Sequence, residues 1–312
     1  SEMCIRDSHE AIRPRLQIVN LLKLHSVMRI SRRNLLKSGV TLIAAGSALA
    51  LLYNRPRSID SLRDLLIDPN GILDLPSGYS YHILERAGAL MSDGNPVPDA
   101  PDGMGCFPGA TGQWILVRNH EIHEGQTADS ILTYDPERAG GVSRVVVDAK
   151  SGERLSSNLL LTGTSRNCAG GPCTEGWLSC EEIDEPNHGY VFLCDPTAHS
   201  LQPPRRLTSL GRFAHEAAAV DPETGITYLT EDATDSAIYR YVPENPNRPF
   251  SDGTLQALKI ADTDRADLST NRRVGDRLSV DWITIDHPQA QSTPTRHQAQ
   301  ACLLYTSPSP RD

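Results

Sequence analysis

The stretch from Arg166 to Glu182 reads Arg-Asn-Cys-Ala-Gly-Gly-Pro-Cys-Thr-Glu-Gly-Trp-Leu-Ser-Cys-Glu-Glu. It sets the thiol of Cys168 beside the glycine pair Gly170 and Gly171. It then runs through the apolar Trp177 and Leu178 and ends on the adjacent carboxylates Glu181 and Glu182. Thiolate and carboxylate make a mixed ligand set: sulfur suits iron or zinc, and oxygen suits calcium, magnesium or ferric iron. The glycines read as a loop whose backbone can come close to a bound group. Cys168 alone would be an ordinary small core residue. What points to metal chemistry is that the pattern recurs.

Three units share one plan, in which a polar or glycine-bearing loop leads into an aromatic-led strand with carboxylates at its far end. The strands are Trp114-Ile-Leu-Val, Trp177-Leu-Ser-Cys and Tyr228-Leu-Thr. Their acidic ends are Glu121, Glu181 with Glu182, and Glu231 with Asp232, at spacings of 60 and 50 positions. Repeats of about 40–50 residues fit the blades of a β-propeller. Equivalent strand ends of a propeller meet at one mouth of a central channel, so these carboxylates would converge there. Clustered like charges repel strongly away from water, and a shared cation relieves the repulsion. The competing reading is three unrelated, solvated strand ends.

The elements that must position these groups are short. Strands are expected at 113–119, 142–148, 155–161, 177–180, 189–195, 217–220, 226–230, 238–242, 255–260 and 279–285. Asp148-Ala-Lys-Ser-Gly152 and Asp221-Pro-Glu-Thr-Gly225 read as hairpin turns, and 92–105, rich in Gly, Pro and Asp, reads as a loop. A short helix is expected over 59–66 and no long amphipathic helix in the body of the chain. Aromatic residues make up 5% of the 312, against 23 glycines and 22 prolines, which favours many strands and turns. The net charge of −9 argues against nucleic acid or an anionic membrane as partner.

Ser31-Arg-Arg-Asn-Leu-Leu-Lys37, the apolar run 40–52 and the triplet Ala48-Leu49-Ala50 resemble a twin-arginine signal peptide. The apolar run falls short of the ~20 residues a bilayer span needs. The expected organisation is a non-native leader over 1–27, a signal over 28–52, a partial propeller over 53–300 and a non-native tail over 301–312. Both ends look like translated adapter sequence. Five cysteines remain between them, namely 106, 168, 173, 180 and 194. An odd number in an exported protein leaves at least one thiol unpaired. Cys168 is the candidate, and pairing among the others stays open.

Several segments together resemble the PhoX-type alkaline phosphatase family. They are Asp102-Gly-Met104 with Phe107-Pro108, Asn119-His-Glu121, Asn167-Cys-Ala-Gly-Gly171 with Trp177-Leu-Ser-Cys-Glu-Glu182, Gly211-Arg-Phe-Ala-His-Glu-Ala-Ala-Ala-Val-Asp-Pro222 and Tyr228-Leu-Thr-Glu-Asp232. The resemblance covers roughly 75–288. It implies an all-β, six-bladed propeller, incomplete in this chain, with two ferric ions and calcium in its channel and phosphate monoesters as substrates. By the same resemblance Cys168 is the iron-ligating thiolate and Glu216 an iron-side carboxylate. Glu121, Glu181, Glu182, Glu231 and Asp232 are further metal carboxylates. His120 and His215 either orient a ligand or simply pack at strand ends.

Two departures stand out. Pro172-Cys173-Thr174-Glu175-Gly176 replaces the family's Thr-Pro-Trp-Gly segment. The family's Arg-x-Glu-Gly motif, which supplies a phosphate-contacting arginine, is expected beyond the end of this chain, so the chain as it stands is expected to be inactive.

The reading is an exported, periplasmic or extracellular, monomeric phosphatase for small phosphorylated substrates, delivered by the twin-arginine machinery. The alternatives are a calcium-dependent propeller lactonase or esterase, which would need no thiolate, and a calcium-stabilised binding propeller without chemistry.

Overall fold

The computed structural model describes residues 65–301, apart from 126, 129, 264–265 and 269–272, together with the strand Leu16–Val19. The expected signal and nearly all of the expected leader and tail lie outside the described residues. The chain forms two compact units, 18–83 and 84–312 with 1–17.

In the smaller unit Leu65–Leu66 pairs antiparallel with Leu75–Pro76. The Asp68 carboxylate accepts hydrogen bonds from the backbone N–H of Asn70, Ile72 and Leu73 and from the Tyr81 hydroxyl. An aspartate that captures the backbone of the next residues makes a tight turn. The helix expected over 59–66 is therefore corrected at its end: Leu65 and Leu66 are strand, and 59–64 lie outside the described residues.

The larger unit contains three antiparallel sheets of four or five strands. The first contains β1 (Pro101–Pro108), β2 (Gln113–His120), β3 (Gly140–Asp148) and β4 (Arg154–Thr164), in that order. The second contains β5 (Asn167–Cys173), β6 (Gly176–Glu181), β7 (Val191–Cys194) and β8 (Arg206–Leu207). The third contains β9 (His215–Val220), β10 (Thr227–Glu231), β11 (Tyr239–Pro243), β12 (Gly253–Ile260) and β13 (Val280–Thr284). A single short helix, α1 (Thr295–Ala301), follows among the described residues.

Each sheet is a meander in which consecutive strands pair, and the sheets stack face to face. Ile115, Val117, Val142, Trp177, Tyr190 and Phe192 fill the layer between the first and second sheets. Leu178, Val191, Phe213, Leu229, Tyr239 and Leu255 fill the layer between the second and third. Each such large side chain removed from water contributes about 1.5–3 kcal/mol. The first strand of each sheet lies against the first strand of the next, β1 on β5 and β5 on β9. Meanders stacked with their first strands together are propeller blades. The fold is all-β, a partial β-propeller.

Two expectations about glycine are corrected. The loop expected over 92–105 is strand from Pro101, and the loop expected around Cys168 is β5. A Cβ on Gly103 would stand 2.7 Å from the Cys168 carbonyl oxygen, and one on Gly171 would stand 1.8 Å from that of Ala218. These glycines let the inner strands of neighbouring sheets touch. Glycine inside a strand marks such a close backbone approach.

Candidate metal centre

The three sheets superpose in register at one corner. Pro101 pairs with His120, Asn167 with Glu181, and His215 with Glu231. One residue further on, the same backbone bond recurs in each sheet. The N–H of Glu121 donates to the Ala100 carbonyl at 2.8 Å, that of Glu182 to Arg166 at 2.9 Å, and that of Asp232 to Ala214 at 3.0 Å. On the inner strands the position after each paired residue holds Asp102, Cys168 and Glu216. Each blade thus presents one inner-strand residue and one second-strand residue at equivalent places.

Cys168, Glu182 and Glu216 come together. One ligand atom from each lies within 4.8 Å of the other two. The Cys168 Sγ stands 3.6 Å from both Glu216 carboxylate oxygens. Cys168 and Glu182 are buried and Glu216 half-buried. The thiol pKa is driven far up, first by burial and then by the negative charges of Asp102, Glu216, Glu182 and Glu121. Burial and the surrounding charges disfavour the bare thiolate and a bound cation would offset both, so the donor set fits a metal ion. Asp102 enters this electrostatic circle although sequence reasoning did not assign it a ligand role. Its register position, one residue after the start of an inner strand like Cys168 and Glu216, is the signal that finds it.

Glu121 joins through an arginine. The Arg166 Nη2 reaches Glu121 Oε1 at 3.0 Å and Glu182 Oε2 at 3.5 Å. Asp232 occupies the register position of Glu121 and Glu182 in the third sheet.

Glu181 and Glu231 are not brought to this cluster. Successive side chains of a strand point to opposite faces, so each faces away from its neighbour in the acidic pair. Glu181 is fully buried. Its Oε1 accepts from Ser165 N–H at 2.8 Å and contacts His188 Nδ1 at 2.7 Å, and its Oε2 accepts from the N–H groups of Gly189 and Tyr190. Glu231 accepts from Ala237 N–H, from the Tyr239 hydroxyl and from Arg296 at 3.1 Å. Burial raises its pKa to about 7 while Arg296 pulls it down. Both carboxylates are saturated by protein donors and hold the corner together.

His120 and His215 are likewise enclosed. His120 contacts the Asp99 carbonyl and the Ser143 hydroxyl, and His215 contacts the Gly211 carbonyl and stacks on Phe213. Burial holds both pKa values down to about 3, so both rings are neutral.

Asn119 fixes the cysteine. Its side-chain amide donates to the carbonyls of Cys168 at 2.9 Å and Ala169 at 2.6 Å. Its oxygen accepts from Trp177 Nε1 and Ser179 Oγ, each at 2.8 Å. A fully satisfied buried amide rigidifies its surroundings, and this one ties β2 and β6 to the backbone that carries the thiol. The five cysteines of the body, 106, 168, 173, 180 and 194, are all free thiols.

No curated protein and no solved structure gave a match. The family described as Alkaline phosphatase PhoX matches residues 61–307, well over half of the chain. Its span contains the whole of the three-sheet body and every residue of the cluster, and on that match the chain belongs to the PhoX alkaline phosphatase family.

Proposed function

We propose that the protein is an exported phosphatase that hydrolyses phosphate monoesters at a metal centre held by Cys168, Glu182 and Glu216. The observation that carries the reading is the meeting of a buried thiol and two carboxylates, supplied by two sheets, within 4.8 Å of one another. Ferric iron suits the thiolate with hard oxygen donors, and calcium suits the surrounding carboxylates. Glu121, Asp102 and Asp232 are the further carboxylates proposed for the calcium side. Glu181 and Glu231, first expected as ligands, serve in this reading as structural anchors. Bound cations supply Lewis-acid charge for a phosphoryl group and its leaving oxygen.

The chain's own residues prepare that site. Asn119 holds the backbone of Cys168 at a fixed depth. The Glu181–His188 pair anchors the residue before Glu182. The glycines of the inner strands let the carriers of Cys168 and Glu216 stand side by side. Preorganised charge of this kind needs no rearrangement as the reaction proceeds. The twin-arginine-like segment at 31–37 supports export in the folded state, with metal loaded beforehand.

Turnover of p-nitrophenyl phosphate by the purified protein tests the proposal. Activity is expected that a chelator abolishes and that ferric iron with calcium restores, and Cys168→Ser should lower kcat at least a hundredfold. Full activity in Cys168→Ser would show that turnover needs no thiolate, and a metal-loaded wild type that leaves p-nitrophenyl phosphate intact would instead favour a calcium-dependent lactonase or esterase. Chelator-insensitive turnover would remove the metal from the account.

A further inference from the structure

Arg166 is the residue at this corner that the fold does not explain. The equivalent positions, whose carbonyls accept the same backbone bond in the first and third sheets, are Ala100 and Ala214. Ala100 and Arg166 both take the left-handed backbone conformation, at φ 45° and 50°. That conformation disfavours any side chain beyond glycine. The corner therefore folds with a methyl group, and the second sheet alone carries a guanidinium there.

The guanidinium is directed at the cluster. Arg166 is pinned on both sides, its N–H donating to the Ile122 carbonyl and its carbonyl accepting from Glu182 N–H, each at 2.9 Å. Its side chain is 39% exposed and reaches the carboxylates of both Glu121 and Glu182. The Nε is buried without a hydrogen-bond partner. Among the described ion pairs it is the cation that touches these acids, and it offsets part of their charge.

We propose that Arg166 contacts the phosphate group of the substrate. This rests on the phosphatase reading above. Once Glu121 and Glu182 are engaged by cations, the guanidinium loses its two ion pairs while its backbone stays fixed. It then offers a planar fork of donors at the mouth of the metal centre, and that fork matches the oxygens of a phosphate monoester dianion. Arginine and cations thereby exchange partners: carboxylates go to the metal and phosphate goes to the arginine. The order follows from charge, since bound cations offset carboxylates that would otherwise repel a phosphate dianion. Orthophosphate, the product, should bind by the same contact and only to the metal-loaded protein.

Arg166→Ala is a mild test because alanine already stands at the two equivalent corners, and Arg166→Lys keeps the charge without the fork. Both are compared with wild type, metal-loaded, by calorimetric titration with orthophosphate, by metal content, and by KM and kcat for p-nitrophenyl phosphate. Metal content should be unchanged. Orthophosphate affinity should fall about tenfold to a hundredfold in Arg166→Ala and by less in Arg166→Lys, with KM rising in parallel. Unchanged orthophosphate affinity in Arg166→Ala overturns this inference and leaves the phosphatase reading standing. Loss of metal in Arg166→Ala also overturns it, because the arginine would then serve the cation cluster alone. If wild-type metal-loaded protein binds no orthophosphate, the phosphatase reading fails and the inference fails with it.

Discussion

His188 lies between two carboxylates, with Nδ1 2.7 Å from Glu181 Oε1 and Nε2 3.1 Å from Asp135 Oδ2. Burial alone would lower its pKa, and the bonds and charges of Glu181 and Asp135 outweigh that and raise it above the usual 6.5. A histidine with a raised folded pKa contributes stability that is fully present below 6.5 and is lost as pH rises through the folded value. Chemical denaturation of the metal-free protein should therefore show stability falling above about pH 6.5, by up to about 1.4 kcal/mol per pH unit. His188→Gln should flatten that part of the profile; an unchanged slope would assign it to other groups. The same scale explains what could be read of the site in advance. The pairs Glu181-Glu182 and Glu231-Asp232 mark the right corner of two blades, but a pair of adjacent acids does not say which member faces the cluster. Strand register decides, and it turns Glu182 toward the thiol and Glu181 toward His188.

The inner strands β1 and β5 were hidden by their composition. Pro101 to Pro108 holds two prolines, two glycines and an aspartate, and Asn167 to Cys173 holds two glycines and a proline. Such residues ordinarily punctuate loops. Here the glycines are required because a neighbouring backbone occupies the space of a side chain. Gly171→Ala would place its Cβ 1.8 Å from the Ala218 carbonyl oxygen, so β5 and β9 must part. A loss of about 3 kcal/mol or more is expected, read as a lowered denaturation midpoint. A midpoint equal to wild type would show that the two strands are not held in contact. Apart from the two-residue β8, which no signal marked, the outer strands, with regular alternation or apolar runs and clear turns at Asp148 and Asp221, were legible to within a few residues.

Across the whole molecule, the repeat of aromatic-led strands ending in acids corresponds to a real structural repeat, since β2, β6 and β10 are the second strands of three successive sheets. Irregular spacing in sequence hides the regularity, because the connections between sheets differ in length while the register at the corner does not. Blade stacking places Asp102, Cys168 and Glu216 at equivalent inner positions. It gathers carboxylates around a thiol whose pKa their charge and burial push far up. The fold has the logic of a frame built to hold metal: the apolar layers fix the blades, the glycines let inner strands meet, and the saturated carboxylates lock the corner. The central claim is that Cys168, Glu182 and Glu216 share bound cations. Elemental analysis of the purified protein beside Cys168→Ser, Glu182→Gln and Glu216→Gln tests it most directly. The account predicts stoichiometric metal in the wild type and a marked loss in each variant. Wild-type protein without metal, or variants that retain all of it, would contradict the account.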